Sequence, residues 1–175
     1  EATLRLVRQI ITQPSWQPKF ADEIFQMRER MEEDASPRNL KRSSGGIVDI
    51  EFIAQMLQMK HSEESPAVLV PGTIEALEQL ETAGHLASET ATFLRKSYRF
   101  LRSVEARLRL MNTTARHDLP EDPHELDKLA YLFGATSGHA LEQQCRDYGQ
   151  ENRASFNRIF KASGEKKSRK RNSTK

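Results

Sequence analysis

A chain of 175 residues, 37% hydrophobic and 30% charged, has the size of one domain or one domain plus a tail. Its net charge is only +2, and its single cysteine, Cys145, excludes an internal disulfide and fits a reducing, cytoplasmic setting. No stretch approaches the ~18 consecutive apolar residues of a membrane span.

Residues 2–12 place Leu4, Val7, Ile10 and Ile11 at helical spacing and stop before Pro14. The chain enters this pattern without a signal peptide or an initiator methionine, so we expect a fragment of a larger protein. Phe20, Ile24, Met27 and Met31 predict a helix over 18–33, with Pro18 suited to its first turn. Arg28, Glu29, Arg30, Glu32 and Glu33 are assigned to its outer face. Ile47, Ile50, Ala54 and Leu57 line a helix from about Gly46 to His61, and Phe52, Ile53, Met56 and Met59 widen its apolar face enough to bury it on two sides. "SEESPAVLVPG" reads as a loop with a short extended run. Ile74, Leu77 and Leu80 predict a short helix capped by Gly84.

The longest regular segment starts at Ser88 and reaches Met111. Leu94, Leu101 and Leu108 recur every seven residues, with Ser97, Val104 and Met111 three further on, a seam suited to packing along a bundle. Asp122, Pro123 and Glu125 form a capping arrangement ahead of Leu126, Leu129, Ala130 and Phe133, and Gly134 ends that helix. A last helix runs from Ser137 to Ala162 through Leu141, Cys145, Tyr148, Phe156 and Ile159, with Gly149 as a weak point. From Ser163 the chain has no apolar residue and is expected to be disordered. Strand pattern is limited to two or three residues at 39–41. The class is all-α, a bundle of about six or seven helices with a disordered basic C-terminal tail.

Chemistry is scarce in this pattern. The tail's Lys166, Lys167, Arg169, Lys170 and Arg171 have no interleaved aromatic to stack on bases, so we read a solvated terminus and expect neither a nucleic-acid nor a membrane partner. His61, His85, His117, His124 and His139 show no i, i+4 pair, and no metal site is expected. Cys145 reads as a buried helix residue. The stretch that remains is "NLKRSSGGIVDIEFIAQ", residues 39–55. Glycines before a helix allow close backbone approach and leave N–H groups uncovered, and Lys41 and Arg42 lie beside them, an arrangement open to a phosphate. The same residues also describe an ordinary turn into a helix. Asp49 and Glu51 are two positions apart and do not share a face, which makes them a poor catalytic pair. A carboxylate buried among Ile50, Phe52 and Ile53 needs a partner, for which Lys41, Arg42, Arg95, Arg99 and Arg102 are candidates.

The stretch "NLKRSSGGIVDIEFIAQMLQMKH" resembles the segment that follows the nucleotidyltransferase domain in bacterial glutamine synthetase adenylyltransferases, and more loosely the helical domain of PII-uridylyltransferases. Leu40, Lys41, Gly45, Gly46, Ile47, Asp49, Ile50, Glu51, Phe52 and Gln55 carry the match, supported by "FQMRERM" at 25–31 and "HDLPEDPHELDKLAYLFG" at 117–134. Ser43 departs from the family's glycine, and Val48 stands where many members have arginine, a substitution more typical of the half that adds AMP. The resemblance implies an organisation in three parts: 1–38, helices leading in from a nucleotidyltransferase domain; 39–162, a helical bundle with the glycine-acid motif; 163–175, the tail. It implies a parent enzyme that transfers AMP from ATP, with Mg²⁺, to a tyrosine of glutamine synthetase and also removes it, with the PII signal protein as a further partner. The family's catalytic G-S-D-x-D motif is not in this chain, so no catalytic residue is assigned and the chain alone is expected to be inactive. Lys41, Gly45 and Gly46 are the candidates for nucleotide-phosphate contact. Asp49 and Glu51 are expected to orient Lys41 or complete a polar network at the domain junction. The alternative is a helical interaction module without a nucleotide role.

Overall fold

Pro18 opens the first described helix, α1, over Pro18–Glu33. α2 follows over Ile47–His61, α3 over Thr73–Thr82, α4 over Ser88–Met111, α5 over Pro123–Phe133 and α6 over Gly138–Gly164. The structure is a computed structural model that describes residues 15–111 and 117–164. The segment 2–12 and the tail beyond Gly164 lie outside the described residues, while Ser163 and Gly164 form the last turn of α6. Among the described residues the fold is all-α, and no helix is long and apolar enough to cross a membrane.

Local chemistry sets the boundaries. Asp122 accepts the N–H of Glu125 at 3.0 Å and Pro123 follows at the first helical position, so α5 starts where its cap is. Gly134 ends it in the left-handed region at φ 87°. Gly84 closes α3 in the same way at φ 76°. Three expectations change. The apolar run after α2 is a 3₁₀ turn over Pro66–Val68, because Pro66 fixes its own φ and Val68 turns inward to full burial. Gly149 does not interrupt α6. The strand-like residues at 39–41 make a single antiparallel bridge, Asn39 to Asp118, with Leu40 N–H donating to His117 O at 2.8 Å and Leu119 N–H to Arg38 O at 3.0 Å.

Two apolar clusters share the long helices. One gathers Ala21 of α1, Ile50, Ile53 and Leu57 of α2, Leu77 and Leu80 of α3, Leu94 of α4, and Phe156 and Phe160 of α6. The other gathers Leu40, Ile47, Leu101, Leu108, Leu119, Leu129 and Leu141. Ile47 and Ile50, one turn apart on α2, belong to different clusters. The glycine-acid stretch therefore lies where the two halves of the core meet. The α4 seam is buried as its heptad spacing implies, including Ser97, while Met111 is half-buried.

Candidate functional site at the glycine-acid loop

Residues 39–46 form a tight loop whose geometry follows from its own side chains. Asn39 turns the chain by accepting the N–H groups of Lys41 at 3.1 Å and Arg42 at 2.8 Å on its Oδ1. Gly45 takes φ 74°, which side chains rarely adopt. It also lies against α6: a Cβ on Gly45 would stand 1.8 Å from the carbonyl oxygen of Gly149. The Gly45 carbonyl accepts Asn152 Nδ2–H at 2.8 Å. The close approach that the glycine permits is thus to the protein's own last helix.

The N–H groups expected to be uncovered are all engaged. Gly45 N–H donates to Asp49 Oδ2 at 2.9 Å, Gly46 to Ser43 O at 2.9 Å, Ile47 to Leu40 O and Val48 to Lys41 O at 3.0 Å, and Asp49 to Gly46 O at 3.1 Å. Gly45 and Gly46 consequently present no spare backbone donor to an anion, because the preceding loop folds back over the helix start.

Asp49 is fully buried, and its partner is none of the basic residues expected from the sequence. Arg28 Nε donates to Asp49 Oδ1 at 2.5 Å, both side chains are 0% exposed, and Arg153 Nε lies 3.1 Å from Oδ2. Arg28 Nη2 also donates to the carbonyls of Arg42 at 3.0 Å and Ser43 at 2.8 Å. Glu32 sits 3.3 Å from Arg28 Nη1, a charge contact rather than an aligned hydrogen bond, and also pairs with Arg153. Arg28 therefore belongs to the inner face of α1. The signal is present in the spacing: Arg28 lies seven positions after buried Ala21, on the same stripe. Burial pushes the Asp49 carboxyl up to about 6 against the pull of Arg28 and the Gly45 N–H, leaving it an anion at neutral pH. Burial and the charge of Arg28 bring Arg153 down to about 10, so it stays cationic.

Glu51 points elsewhere and accepts the Tyr98 hydroxyl at 3.1 Å, so the two acids have separate partners on separate helices. Lys41 is half-buried on the loop, and among the described residues no carboxylate pairs with its ammonium, Asp49 and Glu51 included. Beside the loop, a cleft of about 560 Å³ opens toward α6, lined in part by Arg38, Gly45, Gly46, Cys145, Arg146 and Arg153; Lys41 is not part of its wall. Arg38, which the sequence did not single out, donates to the carbonyls of Leu119 at 3.1 Å and Pro120 at 2.5 Å and pairs with Glu142, tying the loop to α6.

Cys145 is buried, and burial pushes its thiol up to about 12 from an ordinary 9.0. At pH 8 that lowers its thiolate population about a thousandfold. Iodoacetamide is therefore expected to label the folded chain far more slowly than the chain in guanidinium, as read by mass spectrometry; equal rates would show an accessible thiol.

The histidines are less scattered in space than in sequence. The rings of His61 and His85 stack with centroids 3.9 Å apart, beside Glu64. This convergence joins the end of α2 to the turn after α3, so no spacing rule in the sequence shows it.

Residues 18–162 match the family model for the GlnD PII-uridylyltransferase. Among curated proteins the chain is similar to enzymes named bifunctional glutamine synthetase adenylyltransferase/adenylyl-removing enzyme. That of Mycobacterium leprae is 40% identical over 110 residues, covering 61% of this chain and 11% of the relative. That of Mycolicibacterium smegmatis is 36% identical over 124 residues, covering 69% and 12%. That of Corynebacterium efficiens is 34% identical over 158 residues, covering 83% and 15%. The chain thus spans only 11–15% of the length of these relatives. Because the family match runs from the first residue of α1 nearly to the end of α6, through the whole Arg28–Asp49 network, the chain belongs to the GlnD PII-uridylyltransferase family.

Proposed function

We propose that this bundle is the helical portion of a glutamine synthetase adenylyltransferase, an enzyme that transfers AMP from ATP to a tyrosine of glutamine synthetase and, in the full protein, also removes it. The observation that carries the reading is the 34–40% identity to relatives bearing that name, over segments of 110–158 residues. The bundle closes one side of an active site whose nucleotidyltransferase domain precedes it in the parent enzyme. Glutamine synthetase and the PII signal protein are its partners, ATP and Mg²⁺ its cofactors, and the cytoplasm its compartment.

The geometry supports an accessory rather than a metal-holding role. Asp49 is consumed by two guanidinium groups and Glu51 by Tyr98, so neither is poised with the other to hold a magnesium ion. Gly45 and Gly46 shape the loop, while Lys41, which pairs with neither acid, supplies the contact to a nucleotide phosphate. Asp49 and Glu51 hold the polar network at the junction.

Lys41→Ala in the full-length enzyme is expected to raise the KM for ATP about tenfold or more, the size of a lost charge-assisted hydrogen bond, with Tm nearly unchanged. An unchanged rate with a lowered Tm would make Lys41 structural. The isolated chain is expected to transfer no AMP to glutamine synthetase with ATP and Mg²⁺, and measurable transfer would overturn the accessory role.

A further inference from the structure

We propose that His61, Glu64 and His85 form a binding site for a divalent transition-metal ion of the Zn²⁺, Co²⁺ or Ni²⁺ kind, joining the end of α2 to the turn between α3 and α4. The donor atoms of the three side chains all lie within 4.8 Å of one another. His61 Nδ1 is 2.5 Å and His85 Nδ1 is 3.8 Å from the same oxygen, Glu64 Oε1. The two imidazoles are nearly parallel, 13° apart with centroids at 3.9 Å, and their shared approach to Glu64 Oε1 puts both Nδ1 atoms on the same side.

The backbone holds both rings in place. His61 is the last residue of α2, and its carbonyl accepts the Ser65 N–H at 2.8 Å, folding Glu64 back beside the ring. His85 follows Gly84, the left-handed residue that closes α3, and its N–H donates to Leu80 O at 2.9 Å. His85 Nε2 lies 2.8 Å from Ser65 Oγ. With Nε2–H donating to that hydroxyl, the lone pair sits on Nδ1, the atom that faces Glu64. This is the outer hydrogen bond that orients a metal-binding imidazole.

Two imidazoles and one carboxylate are the donor set of a borderline divalent ion, with a fourth tetrahedral position left to water. Ligands at about 2.1 Å around such an ion stand roughly 3.4 Å apart. Glu64 is exposed and its side chain can rotate, and a tilt of each imidazole about its Cβ–Cγ bond turns the two near-parallel Nδ1 lone pairs toward one ion, so side-chain movement alone brings the three donors to that spacing. Metal binding replaces the His61–Glu64 hydrogen bond by coordination of both groups.

The test is calorimetric titration of the 175-residue chain with Zn²⁺, together with visible spectroscopy of the Co²⁺ form. One equivalent is expected to bind, with tetrahedral Co²⁺ bands and a rise in Tm. His85→Gln and Glu64→Gln should each weaken binding at least about tenfold, while His139→Gln, an exposed residue of α6, should leave it unchanged. If His85→Gln alters the circular dichroism, Glu64→Gln alone decides. Failure to bind one saturating equivalent, or equal binding by wild type and Glu64→Gln, would overturn the site.

Discussion

Arg28→Met is expected to destabilise the bundle by about 3–5 kcal/mol, because it leaves the Asp49 carboxylate buried without its main counter-ion. For a chain of this size that corresponds to a fall of about 10 °C in Tm. Asp49 would keep the Gly45 N–H and Arg153, but it would lose the group at 2.5 Å, and the carbonyls of Arg42 and Ser43 would lose their donor. Asp49→Asn removes the charge but keeps an oxygen acceptor for Arg28, and because burial favours the neutral carboxyl it is expected to cost less than Arg28→Met. The double variant Arg28→Met with Asp49→Asn removes both charges and should cost clearly less than the sum of the two single changes, since the isolated buried charge is the expensive species. Urea denaturation of the three variants and the wild type checks this. Additive costs would mean that the two residues act independently, and the pair would lose its role as the tie between α1 and α2. The direction with pH can be checked in the same material. The folded carboxyl, at about 6, lies above its ordinary 3.8, so between those values the folded state holds the extra proton. The Asp49 contribution to stability therefore falls as pH rises through that window, and Asp49→Asn should remove that slope.

The parts of the fold that can be read from the sequence are those set by neighbours in the chain. Pro18, the Asp122–Pro123 pair and Gly134 mark helix ends through local hydrogen bonding and fixed dihedrals, and the structure places helix ends at those residues; Ser88, expected as an N-cap, is instead the first helical residue of α4, with its hydroxyl donating to Glu81. The α4 seam is legible because a seven-residue repeat is a property of one helix. What escapes depends on residues far apart. Arg28 shares the inward stripe of Ala21, but it sits in a run of charges, and such runs usually face solvent; the partner that lets it bury, Asp49, comes 21 positions later. The carbonyls that occupy the α2 start come from Leu40 and Lys41, and a backbone group leaves no trace in residue type. The His61–His85 stack joins two helix ends whose contact no periodicity encodes. The glycine-acid motif is therefore legible as a junction, while the partners that make it one are not.

Gly45→Ala is expected to be the most damaging of the glycine-to-alanine changes at positions 45, 84 and 149. Two costs fall on the same atom. The residue sits at φ 74°, where a Cβ costs about 1–2 kcal/mol on backbone grounds alone. That Cβ would also stand 1.8 Å from the Gly149 carbonyl oxygen and 2.7 Å from its Cα, so either the loop or α6 must move. Movement there would break the Asn152 hydrogen bond to the Gly45 carbonyl and disturb Asp49, which holds the Gly45 N–H. A loss of more than about 4 kcal/mol follows, in the range reserved for a named structural failure. Two other glycines separate the causes. Gly84 has nearly the same φ, 76°, and a Cβ added there would meet nothing within 4 Å, so Gly84→Ala should cost only the backbone part, about 1–2 kcal/mol. Gly149 is helical, and a Cβ there would meet the Ser44 carbonyl oxygen at an ordinary 3.6 Å. Gly149→Ala should therefore be tolerated or stabilise α6 by about 0.5–1 kcal/mol, as alanine does in a helix interior. Thermal unfolding of the three variants gives the ranking directly. If Gly45→Ala and Gly84→Ala cost the same, the close approach between loop and α6 is not what selects glycine at position 45, and backbone conformation alone explains it.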